Sequence, residues 1–217
     1  MRHAPYSKRW RALEKTIMTN RNIFKFIVIF LSFFLISCNS GYQKEKNKWT
    51  WVSYDEAAGK RERIIEKADI ETFVVLENEK YAKDKNSVYF MGRIIEFAKP
   101  NTFEIINDNG YSKDSKNVYL DRDIIINSDP KTFAILDWPY SKDRTNVFCG
   151  NLPLKISDPN GFEVTKIGSG KTTTLKSHFI EINPDYFWLD TINVNGIITS
   201  EGEGKTQTEK FIGYKKK

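Results

Sequence analysis

Cysteine and histidine are scarce in this chain, which contains two of each among 217 residues. After residue 38 the only histidine is His178 and the only cysteine is Cys149, which excludes a disulfide within that part of the chain. A lone histidine does not make a zinc site, and neither an H-E-x-x-H nor a G-x-S-x-G motif is present. We therefore predict no catalytic residue, no metal site and no cofactor, and we interpret Cys149 as a small buried apolar residue.

An excess of charge of one sign is missing from most of the chain. The formal net charge is +6, but residues 1–37 hold seven of the 34 basic residues and one of the 28 acidic residues. The rest of the chain therefore carries 27 of each and is neutral. Because nucleic-acid binding requires a basic face, we predict no nucleic-acid partner. With 40% hydrophobic and 14% aromatic residues, the composition is sufficient for a packed core.

The longest apolar run lies near the N-terminus, from Ile23 to Ile36, and only Lys25 and Ser32 interrupt it. It is short for a transmembrane helix, which needs about 20 residues. A basic segment, an apolar run and a small residue at its end are typical of a secretory signal. Since such signals begin close to their basic residues, Met18 is an alternative to Met1 as the start of translation.

The signal ends in Leu35-Ile36-Ser37-Cys38, which matches a bacterial lipobox. We predict that residues 1–37 are a signal peptide and that Cys38 carries acyl chains such as palmitate. Two or more such chains anchor a protein stably to a membrane. The sequence thus predicts a lipoprotein of the cell envelope, periplasmic or surface-exposed, with residues 38–48 as a flexible tether.

A pattern of about 30 residues recurs through the middle of the chain. Its clearest copy, Y-x-K-D-x-x-N-V-Y, begins at Tyr111, and related strings begin at Tyr81 and Tyr140. Two further markers recur with it, a Thr-Phe pair and an Ile-Ile pair: Thr72-Phe73, Thr102-Phe103, Thr132-Phe133 and the degenerate Gly161-Phe162; Ile64-Ile65, Ile94-Ile95 and Ile124-Ile125. Self-similarity at such a period indicates a repeat architecture, in which neighbouring units bury a common core.

These strings resemble the DKNYY family of bacterial envelope proteins. The resemblance rests on Asp84-Lys85-Asn86 with Val88-Tyr89, and on Lys113-Asp114 and Lys142-Asp143 with the Asn-Val-aromatic strings that follow them. It covers about residues 54–163, and Asn86 lies one place earlier than its counterparts. The resemblance implies an architecture and a location in the envelope, and it implies no chemistry.

Within one unit the pattern predicts short strands joined by turns, with a single helical turn at the Thr-Phe marker. Asp129 and Pro130 favour that helical turn, since Asp is a good N-cap and Pro suits the first helical position. Asp114 is predicted to close a tight turn through its side chain, with Asn117 in the left-handed conformation. The fold class is therefore all-β, built of tandem repeats over residues 49–163.

Two segments outside the clear copies are open to more than one interpretation. Residues 49–66 either form a degenerate first repeat, because Arg63-Ile64-Ile65-Glu66 matches Arg93-Ile94-Ile95-Glu96, or begin a helix, because Ser53-x-x-Glu56 fits a capping box. Residues 164–217 are predicted to form an antiparallel meander that caps the repeats. In that meander Tyr186–Val194 is a strand and Asn195-Gly196 is a hairpin turn.

We predict a non-catalytic binding module whose partner, besides the membrane, is another envelope protein or a glycan. The periodic side chains offer an interaction face, since tyrosine is favoured at interfaces; its residues are Tyr81, Lys83, Tyr111, Lys113, Tyr140 and Lys142. The alternative, in which these residues serve packing alone, also fits the repetition. An envelope hydrolase with a site near His178 is the second functional hypothesis.

Overall fold

A computed structural model describes residues 40–217, so the predicted signal peptide and Cys38 lie outside the described residues. Residues 40–217 are mostly β and form five antiparallel sheets, in each of which the strands follow chain order. The all-β prediction is confirmed. We number the sheets as repeats 1 to 5 along the chain.

Repeat 1 contains β1 (Gly41–Glu45), β2 (Lys48–Asp55) and β3 (Gly59–Ile64). Repeat 2 contains β4 (Val74–Val75), β5 (Tyr81–Lys83), β6 (Val88–Phe90) and β7 (Arg93–Ile94). Repeat 3 contains β8 (Glu104–Ile105), β9 (Tyr111–Lys113), β10 (Val118–Leu120) and β11 (Asp123–Ile124). Repeat 4 contains β12 (Ala134–Ile135), β13 (Tyr140–Lys142), β14 (Val147–Cys149) and β15 (Leu152–Pro153).

Repeat 5 contains β16 (Glu163–Leu175), β17 (Gly196–Lys205), β18 (Lys210–Ile212) and β19 (Lys215–Lys216). Helix α1 (Lys176–Ile182) and a 3-10 helix (Pro184–Thr191) connect β16 to β17. A further 3-10 turn, Pro100–Thr102, lies at the second Thr-Phe marker.

Repeats 2, 3 and 4 share one strand register. The first tyrosine of each copy pairs with the last residue of the return strand: Tyr81 with Phe90, Tyr111 with Leu120, and Tyr140 with Cys149. The turn between these strands is closed in each copy by a bond from the N–H of the aspartate to the carbonyl three residues on. The three copies are therefore the same structural unit.

Repeat 1 has the same register and begins earlier than expected. Tyr42 pairs with Trp51, as Tyr81 pairs with Phe90 in repeat 2. The N–H of Ile65 donates to the carbonyl of Trp49, as the N–H of Ile95 donates to the carbonyl of Val88. The interpretation of residues 49–66 as a first repeat is confirmed, and the helix alternative is wrong. Residues 41–48 of the predicted tether instead form β1 and the start of β2, because their backbone groups pair with Lys48–Val52.

Repeat 5 is a further copy that the sequence markers hide. Gly204 pairs with Phe211, as Ser141 pairs with Phe148 in repeat 4. The N–H of Thr206 donates to the carbonyl of Glu209, as the N–H of Asp143 donates to the carbonyl of Asn146. The four-stranded antiparallel meander at the C-terminus is thus present, but it continues the row of repeats with its own copy of the unit.

The unit in repeat 5 is interrupted by an insertion between its first two strands. We call residues 165–202 the insert; it comprises the outer parts of β16 and β17 with the helices between them. The predicted strand Tyr186–Val194 is wrong, since most of it is the 3-10 helix. The hairpin predicted at Asn195-Gly196 is also wrong, because Gly196 pairs with Leu175 across the base of the helical segment.

The strands of each inner repeat are buried on both faces. In repeat 2, Tyr81, Val88 and Phe90 pack against repeat 3, whereas Ala82 and Tyr89 pack against repeat 1. Successive side chains of a strand point to opposite faces, so alternate residues reach different neighbours. We call the face toward the following repeat the forward face and the opposite one the backward face.

Candidate functional site

The repeated aspartate holds its turn with both carboxylate oxygens. In repeat 3, Oδ1 of Asp114 accepts from the backbone N–H groups of Lys116 and Asn117 at 2.7 and 2.8 Å. Its Oδ2 accepts from the N–H of Lys99 at 2.8 Å and from the hydroxyl of Tyr119 at 2.9 Å. The predicted turn is confirmed, but the left-handed residue is wrong, since the positive φ belongs to Asp121 at the following turn.

The same contacts recur at Asp84, with all four donors in place. At Asp143 the backbone donors are present, but Phe148 replaces the tyrosine and offers no hydroxyl. The three carboxylates are buried, and a buried charge is tolerated when hydrogen bonds satisfy it. The repeated aspartate is therefore a structural group.

The predicted interaction face lies on the forward face and is not a surface. The hydroxyl of Tyr81 donates to the carbonyl of Gly110 at 3.0 Å, and that of Tyr140 donates to the carbonyl of Gly202 at 3.0 Å. Tyr81, Tyr111 and Tyr140 are buried between sheets, which raises the pKa of each hydroxyl and keeps it protonated. The prediction that these tyrosines dock a partner is wrong.

The lysines of that face lie at the edges of the same interfaces and are half-buried. Nζ of Lys83 donates to the carbonyl of Pro100 in the following repeat at 3.1 Å. Nζ of Lys113 lies 3.7 Å from Glu104 on the neighbouring strand. Lys142 occupies the equivalent position in repeat 4. Of these contacts, that of Lys83 joins two repeats, whereas that of Lys113 lies within repeat 3.

Cys149 and His178 have opposite environments. Cys149 is buried, as predicted, and burial raises the pKa of its thiol to about 12, so it is not a nucleophile at neutral pH. His178 lies on α1 and is largely exposed, with Nδ1 3.1 Å from Oε2 of Glu181.

The insert folds back over repeats 3 and 4. Asn151 pairs with it through both side-chain groups, donating to the carbonyl of Gly196 at 2.9 Å and accepting from the N–H of Ile198 at 2.7 Å. Oδ1 of Asp123 accepts from the N–H groups of Asn195 and Gly196 at 3.2 Å. A Cβ at Gly150 would lie 1.9 Å from the carbonyl oxygen of Ile198, so the close approach requires glycine there.

A groove of about 430 Å³ opens where the insert crosses repeats 2 to 4. We call the large apolar side chains of its lining the floor and the polar side chains the rim. The floor consists of Phe90, Tyr111, Ile135, Leu136 and Trp138, and the rim of Lys80, Asp108, Asn109, Asp121 and Lys171. We call this site the Trp138 groove.

Contacts between the insert and the repeats fix one wall of the Trp138 groove. Nζ of Lys171 lies 2.8 Å from Oδ2 of Asp121 and 5.6 Å from the centre of the Trp138 ring. Nε1 of Trp138 donates to the carbonyl of Gly170 at 2.8 Å. The aromatic side chain is therefore held in place before any ligand binds, which lowers the entropy cost of binding.

Comparison with models of protein families identifies the family of this chain. Residues 13–123 and 111–217 each match the model of the DKNYY family. The chain belongs to the DKNYY family. The DKNYY match extends beyond residues 54–163, on which the resemblance in the sequence rested, and it includes repeat 5 with its insert. Searches among curated proteins and among solved structures found no match.

Two further observations on this DKNYY protein concern membranes and metals. Within residues 40–217, the helices are too short or too polar to cross a bilayer. In the same residues, no three side chains of His, Cys, Asp or Glu are grouped so that they could hold a metal ion.

The sequence did not reveal the Trp138 groove, because its walls come from segments far apart in the chain. One signal could have pointed to it. Trp138-Pro139 stands where repeat 3 has Asn109-Gly110, so the tryptophan departs from the repeated pattern at a loop position. Packing that is common to all copies does not explain why one copy alone has a bulky aromatic residue in this loop.

Proposed function

We propose that this DKNYY protein is a non-catalytic binding module, anchored to the cell envelope by a lipid on Cys38, that takes its ligand in the Trp138 groove. The observation that carries the proposal is the groove itself. Apolar floors with a few convergent polar groups are typical of binding sites. Here loops of three repeats and the insert supply them together.

The composition of the rim favours an uncharged, hydroxyl-rich ligand. Two lysines and two aspartates balance each other, and one pair is already joined as Lys171–Asp121. The exposed Asp108 and Asn109 offer acceptors and a donor beside the aromatic floor. A glycan of the envelope has such chemistry, with hydroxyl groups for the rim and C–H faces for Trp138.

The test is titration of the protein with soluble fragments of cell-wall glycan. We expect saturable binding, and Trp138→Ala should weaken it at least about tenfold, the change that a loss of 1.4 kcal/mol produces. Phe187→Ala is the matched control, since Phe187 is 73% exposed and does not line the groove. Equal affinities of the two variants would assign the binding to another surface.

The envelope location has support in the lipobox that ends at Cys38. In cells supplied with a fatty-acid probe, the wild-type protein should be labelled and Cys38→Ala should remain an unlabelled precursor. A Met18→Ala variant that retains expression would show that translation begins before this residue. Equal labelling of wild type and Cys38→Ala would refute the lipid anchor.

The hydrolase hypothesis places a general base at His178. Its only side-chain partner among residues 40–217 is Glu181, and both side chains are more than half exposed. His178 is absent from the lining of the Trp138 groove. His178→Ala should therefore leave glycan binding unchanged; loss of a turnover activity in this variant would favour the hydrolase instead.

A further inference from the structure

Among residues 40–217, no other repeat covers the forward face of repeat 5. The positions that are buried tyrosine, valine and an apolar residue in repeats 2 to 4 are here Glu203, Lys210 and Ile212. A polar outer face on a terminal repeat keeps a repeat protein from associating. Solubility requires polar residues on this face, but it does not require that their charges have the same sign.

Three lysines of this face stand in register across adjacent strands. Lys205 on β17 pairs with Lys210 on β18, and the N–H of Lys217 bonds the carbonyl of Lys210. All three are exposed. Like charges directly opposite each other on neighbouring strands destabilise a sheet. Lys205 occupies the position of the repeated lysine, as Lys142 does in repeat 4, but strand pairing gives no reason for lysines at Lys210 and Lys217 beside it.

Acidic groups do not neutralise the row. Within residues 40–217, the ion pairs of this sheet are Lys166–Glu203, Lys171–Asp121 and Lys216–Glu209. They leave Lys205, Lys210, Lys215 and Lys217 without a carboxylate within 4.0 Å. Lys215 lies beside Ile212 on the same face, next to the row. The four lysines form a basic strip, although the chain beyond residue 37 is neutral when they are counted.

We propose that this basic strip binds a linear anionic polysaccharide. Neighbouring strands lie about 4.8 Å apart, so the row presents one ammonium group for roughly each sugar residue of a uronate chain. A linear arrangement suits a linear polymer, whereas Glu203 on the same face opposes a flat anionic membrane. The choice of a polysaccharide rests on the proposed envelope location, and the strip is separate from the Trp138 groove.

The full chain, purified in detergent, is tested on beads that carry polygalacturonate, neutral dextran or the glycerophosphate headgroup of anionic lipids. We expect salt-sensitive retention on polygalacturonate, no retention on dextran, and weaker retention on glycerophosphate. Lys205→Gln/Lys210→Gln should bind polygalacturonate about thirtyfold more weakly, the joint effect of two lysines near an anionic surface. Lys116→Gln/Lys131→Gln removes the same charge from exposed sites in repeats 3 and 4 and should change binding less than about threefold.

Equal losses in the two double variants, or tighter retention on glycerophosphate than on polygalacturonate, would overturn the proposal. Misfolding does not confuse the result, because removal of like charges should leave the urea midpoint of Lys205→Gln/Lys210→Gln at or above that of wild type. Trp138→Ala should bind polygalacturonate normally. The proposal for the basic strip and the proposal for the Trp138 groove can therefore fail independently. If Cys38 carries no lipid, the proposed envelope location is wrong, but binding to the beads is unaffected.

Discussion

Repeats 3 and 5 have the same backbone register and opposite forward faces. In repeat 3, Tyr111, Val118 and Leu120 are almost completely buried against repeat 4. In repeat 5 the matching positions are occupied by Glu203, Lys210 and Ile212, and they face solvent. A sheet of this family therefore keeps its register without an apolar forward face.

The backward faces of the two repeats are alike. Tyr119 in repeat 3 and Phe211 in repeat 5 are both buried, and each packs beside the phenylalanine of its own Thr-Phe marker or its degenerate form. This side docks the sheet on the preceding repeat. The comparison indicates that a unit needs apolar residues on its backward face, which packs on the preceding repeat. The residues of the forward face can vary and can either pack on a following repeat or face solvent.

The turns differ as well. Repeat 3 uses the one carboxylate of Asp114, whereas repeat 5 divides its role between two residues. Oγ1 of Thr206 accepts from the N–H groups of Thr208 and Glu209, and Oε2 of Glu209 accepts from the N–H of Ser157 at 3.0 Å. The two turn donors match those of Asp114, whereas Ser157 lies one place before Asp158, the counterpart of Lys99.

The largest expected effect is the removal of a phenylalanine from an inner interface. Phe103→Ala should lower the free energy of unfolding by about 3–5 kcal/mol, because Phe103 fills the space between repeats 2 and 3. Ile212→Ala, on the open forward face of repeat 5, should cost less than about 0.5 kcal/mol. Urea unfolding measures both; similar costs would contradict the stacked-sheet account.

The second effect concerns the carboxylate of the inner turn. Asp114→Asn should cost about 1–3 kcal/mol, because an amide nitrogen replaces one oxygen and leaves two of four buried donors unpaired. Asp108→Asn is the matched control, since Asp108 is exposed. If both variants unfold at the wild-type urea midpoint, the carboxylate is dispensable to the turn.

The third effect tests the divided turn of repeat 5 through pH. The ammonium of Lys216 and the donors of Ser157 lower the pKa of Glu209 from 4.5 to about 2. Because the pKa is lower in the folded state, this contribution is complete above pH 4.5 and declines as the pH falls toward 2.

Glu209→Gln should accordingly lose about 1 kcal/mol at pH 7, the net value of a typical hydrogen bond, and less at pH 2.5. Glu181→Gln, on the exposed α1, serves as control. Thermal unfolding at several pH values provides the measurement. A Glu209→Gln deficit that stays constant down to pH 2.5 would show that the charge of Glu209 does not matter.

The smallest effect is a gain. Lys210→Glu places a carboxylate between Lys205 and Lys217 and should raise the free energy of unfolding by about 0.2–1 kcal/mol. Lys131→Glu, an exposed site away from the basic strip, should change it less. Destabilisation by Lys210→Glu would mean that the lysine row is favourable within the fold and needs no ligand to account for it.

The sequence predicted the parts of the fold that recur without interruption. Arg63-Ile64-Ile65-Glu66 was sufficient to assign repeat 1, because this segment retains the pairing of Arg93-Ile94-Ile95-Glu96. Tyr42 was not assigned, since repeat 1 lacks both the aspartate turn and the first strand. The Asp-Lys turns followed from side-chain chemistry that acts within three residues.

Repeat 5 and the Trp138 groove could not be predicted in the same way. The insert separates Val164 from its partner Gly204, so no local period links the two strands. Thr206 and Glu209 share the role of one aspartate, which removes the marker. Asn195-Gly196 has strong hairpin propensity, but Asp123 of repeat 3 binds both of its N–H groups, and this tertiary contact overrides the local preference.

The two buried faces of the inner sheets have a consequence for distance. Stacked sheets lie about 10 Å apart, and the joint formed by Tyr42 with the carbonyl of Lys80 has the same chemistry as that of Tyr81 with Gly110. Repeat 2 contributes little to the Trp138 groove beyond Lys80 and Phe90. Adding one 30-residue unit ahead of repeat 2 would therefore move the groove about 10 Å further from repeat 1 while leaving every joint intact. The number of inner repeats therefore determines the distance between repeat 1 and the Trp138 groove, in steps of one repeat.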